Sequence, residues 1–590
     1  MAAKSNKLQS DVRLAGIPVS PGVAHGPLVV FDREEISVPR QPVEEKDIPE
    51  EMVRFETALM QTRQQIQEIK DLLSDSIGEK DAGIFEAHLL VVEDAMLLQA
   101  VKKQIEQKHL CVEYVFHHII HQYAQSMREV DDPYLAERAS DILDVGKRVL
   151  NNLMGKNPVE KYVLDEPSII LAHDLSPADT AMLDRKMVLG FATDLGSRTS
   201  HTAIMARSLN IPAVVGLKDA SLSLTTGMQV LLDGYEGVLV LNPSEKTRFE
   251  YGQIEIRRHQ VEEELETLRE TSAVTTDGRR IVVSANVELP EDLPHLREAG
   301  AEGIGLYRTE FMFMNRLGVP DEDEQVAIYR QVIEASAPHP VIFRTLDCGG
   351  DKVLNQLEHD EELNPFLGWR AIRFTLQNRE IFETQLRAIC RAGAGHRIRI
   401  MFPMIATFEE LAEAKAVLQS VLLDLDRGHR DRARDIEVGA MIEVPSAALI
   451  VDRLVPEVDF LSIGTNDLVQ YTLAVDRTNE RVAYLYQPTH PAIITLIRRT
   501  VEAAHAGGIW VGVCGETAGE VLLTPLLLGL GVDELSMGSV FIPRVKRAVQ
   551  RLNYAEMKAL AEDLEKRSTG QVVLERLEEV ARTHYPELLE

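Results

Sequence analysis

Eight short apolar runs recur between Asp277 and the C-terminus, and they constrain the fold more than any other feature of this sequence. In order they are RIVVSANV, GIGLYR, PVIFRTLD, RIRIMFPM, EVGAMIEVP, DFLSIGTND, WVGVCGE and ELSMG. Each has strand length and strand composition, and helical stretches lie between them. Strands alternating with helices over about 300 residues predict parallel pairing and closure into a (β/α)₈ barrel. The same architecture says where chemistry belongs, because catalytic residues in such barrels project from the C-terminal strand ends.

Here those ends are polar. GLYR ends at Arg308, with Glu310 just after it, and IFRTLDCGGDK carries Arg344, Asp347 and Lys352. GAMIEVP carries Glu443, SIGTND ends in Asn466 and Asp467, and VGVCGE ends in Cys514 and Glu516. Loops add Arg370 and Arg373 in NPFLGWRAIR and Arg477 in AVDR. Guanidinium forks converging on one mouth suit a ligand that carries phosphate and carboxylate. Two carboxylates on neighbouring strands suit Mg²⁺, which takes one or two protein carboxylates plus ligand oxygens. A single Arg or Glu carries little weight, since exposed ion pairs are common and weak. A single Cys after an apolar run is ordinarily a small buried hydrophobe. Joint placement after successive strands is what singles these residues out.

A chain of 590 residues exceeds what one core serves. The segment LAGIPVSPGVAHGPLVVF reads as strand and turn. Over residues 35–155 the period changes to three and four: Met52, Phe55 and Leu59; Phe85, Leu89, Val92 and Met96; Val112, Phe116 and Ile119; Ile142, Val145 and Val149. Four amphipathic helices in succession make a helical module. From Ser168 short apolar runs return, as SIILA, MVLGFA, AVVG, MQVLLDG and GVLVLN. The module is therefore read as an insertion into one α/β domain formed by residues 1–34 and 156–241. The charged stretch 242–274 reads as a linker helix, and the barrel takes residues 275–590.

Charge and cysteine usage narrow the function classes. With 63 Lys and Arg against 93 Asp and Glu, the net charge is −30. Such a surface repels nucleic-acid backbones and anionic lipids, and it suits a partner with a basic docking face. The four cysteines, Cys111, Cys348, Cys390 and Cys514, are scattered and form no CxxC pair. No disulfides and a reducing compartment are expected. The N-terminal stretch has no apolar core of a signal peptide, and the longest apolar run, Val521–Val532, is too short to span a bilayer. Cytoplasmic location without membrane insertion follows as the expectation.

One motif lies outside the barrel: GSRTSHTAIMAR, Gly196–Arg207. TAIMARSLNI reads as a helix, with Thr199 or Ser200 as N-cap. A helix start has free N–H groups and a positive dipole end, which favour a phosphate beside it. A neutral imidazole, here His201, is a good nucleophile toward a phosphoryl group. On its own, a Ser-His pair is as well explained by capping. A second histidine feature, His117 and His121 at helical spacing, has no third ligand and no Glu in the zinc-protease order, so no metal is assigned to it.

The longer pattern discriminates. TSHTAIMAR followed by NIPAVVG resembles the phosphohistidine domain of the phosphoenolpyruvate-utilising enzymes. With LSPADT, GIGLYRTEFMF, ELNPFLGWRAIR, LSIGTNDLVQYTLAVDR and CGE in this order, nearly the whole chain is similar to the enzyme I family of the bacterial sugar phosphotransferase system. The resemblance implies a multidomain α/β protein: a phosphohistidine domain with an inserted helical bundle, a linker helix and a C-terminal (β/α)₈ barrel that binds phosphoenolpyruvate and dimerises. It implies that His201 takes the phosphoryl group at Nε2, with Thr180 hydrogen-bonding its ring. Arg308, Arg344 and Arg477, with Asn466 and the backbone at Asp467, would hold phosphoenolpyruvate. Lys352 and Arg370 would support those contacts, and Glu443 and Asp467 would ligate Mg²⁺. Cys514 would protonate the enolate carbon to give pyruvate. The phosphoryl group would then pass to the carrier protein HPr, docked on the helical module, which DDPYLAERASDILDVGKRVLNNLMG matches. In-line transfer needs contact, so the histidine domain must swing on the 242–274 arm.

The sequence departs from the family pattern at Ser197, where glycine is usual, and at Leu217, where threonine is common. Related dikinases and synthases need a large ATP-binding domain for which this chain has no room, and a nitrogen-related paralogue would carry an extra N-terminal sensory domain. A phosphoenolpyruvate sensor without turnover would need neither His201 nor Cys514.

Overall fold

The computed structural model describes residues 11–31, 38–77, 88–128, 133–155, 164, 166–175, 186–197, 201–208, 211–314, 318–349, 364–477, 479 and 481–589. They fall into two compact units, Met1–Arg257 and Arg258–Glu590.

The first unit is built on an eight-stranded sheet in the order β1-β8-β7-β3-β4-β5-β6-β2. The strands are β1 (Val12–Ala15), β2 (Ile17–Ser20), β3 (Val23–Phe31), β4 (Ser168–Ala172), β5 (Val188–Thr193), β6 (Ala213–Val215), β7 (Gln229–Asp233) and β8 (Val238–Leu241). The nine-residue β3 joins the halves, antiparallel to β7 and parallel to β4 with Leu28 opposite Ile169. Strand β4 is SIILA, buried at every residue, because both faces of the sheet are covered. Ile170 packs with Phe191 and Ala213, while Ile169 and Leu171 pack with Leu28 and Val214 in a separate cluster.

Between β3 and β4 the chain makes α1 (Ile48–Ile77), α2 (Ala95–Lys108), α3 (Val112–Arg128) and α4 (Pro133–Leu153). Phe55, Val101, Val112 and Phe116 are fully buried or nearly so, and the rings of Phe55 and Phe116 lie 5.5 Å apart. The sequence pattern joined Phe85 to Met96 as one helix, but the chain breaks before α2. Asp94 ends the earlier turn and caps α2, its carboxylate accepting from the N–H groups of Met96 and Leu97 at 2.8 and 3.0 Å. The linker also differs from the sequence reading of 242–274. Helix α6 runs Glu245–Thr267, after the short α5 (His201–Ser208), and Ala273–Val274 forms strand β9. Pairing of Ala273 with Ile281 ends the helical run, because those residues complete a hairpin on the barrel.

The second unit is the barrel. Its strands are β10 (Arg280–Val287), β11 (Ile304–Arg308), β12 (Val341–Arg344), β13 (Arg397–Phe402), β14 (Asp435–Ile442), β15 (Phe460–Ile463), β16 (Trp510–Val513) and β17 (Glu534–Met537). All neighbours are parallel, and β10 pairs with both β11 and β17, closing the ring. Seven of the eight strands fall within the runs read from the sequence, and β14 starts two residues earlier than its run, at Asp435. Leu306, Ile342, Met401, Met441, Phe460 and Cys514 form one compact buried cluster. Where the strands begin, Phe460 stacks on Trp510 at 4.8 Å and Arg399 lies 4.5 Å over Trp510. No helix among the described residues is long and apolar enough to cross a membrane.

Small residues make this interior possible. A Cβ on Gly305 would collide with Ser536 and come within 2.6 Å of Glu534 Oε1. Replacing Gly305 by Ala is expected to destabilise the barrel by about 1–3 kcal/mol, the usual cost of overpacking. Calorimetry of the full chain would show this as a lowered barrel transition.

Candidate active site

The barrel sets each polar residue at a fixed point on one rim. Arg308 and Arg344 are the last residues of β11 and β12, and Glu443 and Cys514 directly follow β14 and β16. Asn466 and Asp467 lie in the first turn of a helix after β15, while Arg370 N-caps another short helix. Label these helices α7 (Ala371–Gln377) and α8 (Thr465–Leu473). Arg308, Arg344, Arg370, Glu443, Asn466, Asp467, Arg477 and Cys514 all line one cavity of about 180 Å³.

Asp347 is the hub of the cationic side. Its carboxylate, 2% exposed, accepts from Arg344 Nη1 and Arg370 Nη2, both at 2.8 Å. Glu310 Oε1 accepts from Arg344 Nη2 at 3.0 Å and from the Asp347 N–H at 2.9 Å. Burial works against the charge on Arg344, but Glu310 and Asp347 outweigh it and hold its pKa above the ordinary value. Arg370 is raised in the same way, burial being overcome by Asp347 and Asp467. Arg308 goes the other way, lowered by burial and by the charge of Arg344, although it pairs with Glu288. Arg308 Nε and Arg344 Nε are both buried without a hydrogen-bond acceptor among the described residues. An anion in the cavity would supply acceptors of that kind.

A second network holds the opposite wall. Asn466 donates to Glu516 Oε1 at 3.1 Å and accepts from the Glu516 N–H at 3.0 Å. The same Glu516 oxygen takes Arg477 Nη1 at 2.5 Å. Gly515 lets these segments approach, since a Cβ there would collide with Thr465 and sit 3.0 Å from Asn466 Oδ1.

The carboxylates on the rim are short of positive charge. Glu443 is 1% exposed and accepts one backbone bond, from Met404 at 2.6 Å. Burial, then the charges of Asp347 and Asp467, push its pKa up. Asp467 is pushed up by burial and by Asp347. Buried Glu443 and half-buried Asp467, which repel each other, fit a divalent cation, with ligand oxygens completing its shell. Among the described residues no group of three or more His, Cys, Asp or Glu side chains could hold a metal by itself.

Cys514 is 2% exposed, and burial pushes its thiol up to about 11. It therefore carries its proton at neutral pH. Its carbonyl accepts from Asn286 Nδ2 at 3.0 Å, and Asn286 Oδ1 accepts from Ser536 Oγ at 2.6 Å. Asn286 and the acidic partners Glu288 and Glu310 were not assigned roles from sequence. The polar Asn286 near the C-terminal end of RIVVSANV was the available signal for the first.

In the other unit, His201 opens α5 and its side chain lies outside the described residues, as do Thr180, Lys352 and the proposed caps Thr199 and Ser200. Thr202 anchors the helix start, donating to the Leu175 carbonyl at 2.7 Å. Buried Asp194 fixes the approach to it, pairing with His173 Nδ1 at 3.1 Å and taking the Ser221 N–H at 2.9 Å. The positive φ of that approach, 122°, falls on Gly196, the residue before Ser197. The rings of His117 and His121 on α3 lie 4.4 Å apart, tilted by 53°, and burial lowers the pKa of His117.

The raised pKa of Cys514 has a direct consequence. Its thiolate fraction at pH 8 is about 100-fold below that of a thiol with pKa 9. Iodoacetamide should modify Cys514 at least that much more slowly than a free thiol, with the rate rising until about pH 11.

Profiles of three families match the chain: "PEP-utilising enzyme, N-terminal" over residues 15–138, "PEP-utilising enzyme, mobile domain" over 164–237 and "PEP-utilising enzyme, PEP-binding domain" over 262–554. A Staphylococcus carnosus phosphoenolpyruvate-protein phosphotransferase is 43% identical over 570 residues, covering 97% of this chain and 99% of its own. A Haemophilus influenzae protein of the same name is 41% identical over 566 residues, covering 96% of this chain and 98% of its own. A solution structure of an enzyme I protein is 40% identical and matches 41% of this chain and 98% of its own, at a TM-score of 0.36.

Proposed function

This chain belongs to the phosphoenolpyruvate-utilising enzymes, as an enzyme I of the phosphoenolpyruvate-protein phosphotransferase kind, and from that premise we propose how its residues carry the reaction. Phosphoenolpyruvate binds in the barrel mouth, its anionic groups taken by Arg308, Arg344 and Arg477. Asn466 and the backbone at Asp467 add hydrogen bonds, and Arg370 and Lys352 reinforce the positive wall. The observation that supports this most is the pair of buried guanidinium N–H groups, on Arg308 and Arg344, left without acceptors in the cavity lining.

His201 Nε2 attacks phosphorus, with Thr180 orienting the ring. The P–N bond forms as the bond from phosphorus to the enol oxygen breaks. The enolate then takes the Cys514 proton at carbon, giving pyruvate, and solvent reprotonates the thiolate. A neutral thiol in a dry pocket suits an acid that must keep its proton until the enolate forms. Glu443 and Asp467 would hold Mg²⁺, which when bound neutralises charge on the phosphoryl oxygens. The histidine unit swings on the linker helix, and the phosphoryl group passes from His201 to a histidine of HPr docked on α1–α4. A homodimer formed through the barrel and a cytoplasmic location complete the reading.

Labelled phosphoenolpyruvate with Mg²⁺ tests the route. The full chain should acquire acid-labile, base-stable label and lose it to HPr, while His201→Ala takes up none. Labelling of His201→Ala at the full rate overturns the assignment, and ligand binding without any label indicates a sensor. The cation has a separate readout. At about 100 times its dissociation constant, Mg²⁺ should stabilise the folded chain by roughly 2.7 kcal/mol. A thermal scan should show that shift in the wild type and not in Glu443→Gln.

A further inference from the structure

The end of the barrel opposite the reaction site holds a second cavity, of about 520 Å³. It lies where β10, β11 and β12 begin, beside the residues that connect α6 to β9. That volume is in the range of small-ligand sites and well above what one inorganic ion fills.

Its lining is positive on a chain whose net charge is −30. Arg269, Arg280, Arg297 and Lys546 face two carboxylates, Glu270 and Glu302. Some of that charge is already matched: Arg280 Nη2 meets Glu302 Oε2 at 2.5 Å, and Arg269 pairs with Glu266 at 3.1 Å. The rest is not. The side chains of Arg297 and His339 have no partner among the described residues. Lys546 is 1% exposed, and its ammonium donates to one neutral acceptor, the Arg269 carbonyl, at 3.0 Å. Among the described residues no carboxylate comes within ion-pair distance of it, and Glu302 is the opposing charge that acts on it. An ammonium has three donors, and burial lowers its pKa against the opposing pull of Glu302. Glu302 Oε1 is buried without a donor among the described residues.

We propose that this cavity binds a small organic anion of at least two negative charges that also carries a hydroxyl group. The anionic end is met by Lys546, Arg297 and His339, and a hydroxyl donates to Glu302 Oε1. The two deficits on the wall, the Arg297 guanidinium without an anion and the Glu302 oxygen without a donor among the described residues, are then met by one ligand. Arg269 and its neighbours directly follow the linker helix, so the occupant touches the segment on which that helix ends.

Titration calorimetry on the full chain tests this with three probes: glycerol 3-phosphate, citrate and inorganic phosphate. Glycerol 3-phosphate or citrate should bind saturably and more tightly than inorganic phosphate. The double change Arg297→Ala with His339→Ala should weaken that binding about tenfold or more, while phosphate transfer from phosphoenolpyruvate proceeds at the wild-type rate. Arg344→Ala, at the other end of the barrel, should leave it intact. A preference for glycerol 3-phosphate assigns a phosphate ester, and one for citrate assigns a hydroxycarboxylate. Absence of saturable binding by all three probes, or binding lost in Arg344→Ala but kept in the double variant, overturns the proposal. Because labelling of His201 is read separately, failure here leaves the phosphotransfer reading untouched.

Discussion

One carboxylate, Asp347, holds the reaction end of the barrel together. Arginines gathered around a small cavity repel each other and lose hydration, and without compensation the rim would open or the side chains would turn to solvent. Asp347 meets two of them, Arg344 and Arg370, at 2.8 Å each, and Glu310 takes Arg344 and the Asp347 backbone together. Strand pairing fixes the spacing, since Arg308 and Arg344 are register partners on β11 and β12. The balance is incomplete in two opposite senses. Among the described residues the Nε groups of Arg308 and Arg344 have no acceptor, while burial and neighbouring carboxylates raise the pKa of Glu443 and Asp467 despite the nearby arginines. An anionic ligand accompanied by a divalent ion meets both needs, and neither alone would.

The chain keeps two kinds of order in separate units. The barrel is a densely packed scaffold in which a Cβ on Gly305 or Gly439 already collides with a neighbour. The α/β unit is stitched by β3 to the strands that follow the inserted helices, and Asp194 ties the approach to α5. A rigid cavity can fix the geometry of a ligand, while the short helix α5 begins at His201 in the other unit. The proposed route from one protein histidine to another makes use of that division of labour.

Much of this was readable from the sequence because period and composition change sharply between regions. All eight barrel strands coincide with or overlap the runs that marked them, and the clustering of Arg308, Arg344, Glu443, Asn466 and Cys514 follows from strand direction. What pattern reading cannot supply is pairing across the sequence. Asn286 reaches the Cys514 carbonyl over a separation of 228 residues, and Glu288 meets Arg308 from just past the end of β10. The break at Asp94 was missed because apolar spacing continues through it, while a capping carboxylate decides the boundary. The linker was read too long because charge alone marked it, and charge does not show that Ala273 pairs with Ile281. Lys352 and Thr180 rest on the family motif alone, being outside the described residues.

The central claim is that phosphoenolpyruvate is held by the arginines that Asp347 keeps in place. Titration calorimetry of phosphoenolpyruvate into the full chain and into Asp347→Asn asks this directly. The account predicts saturable binding to the wild type and an affinity lower by about tenfold or more in Asp347→Asn, because two guanidinium groups lose the charge that orients them. Equal affinity in the two proteins, with the variant shown to be folded, would contradict it.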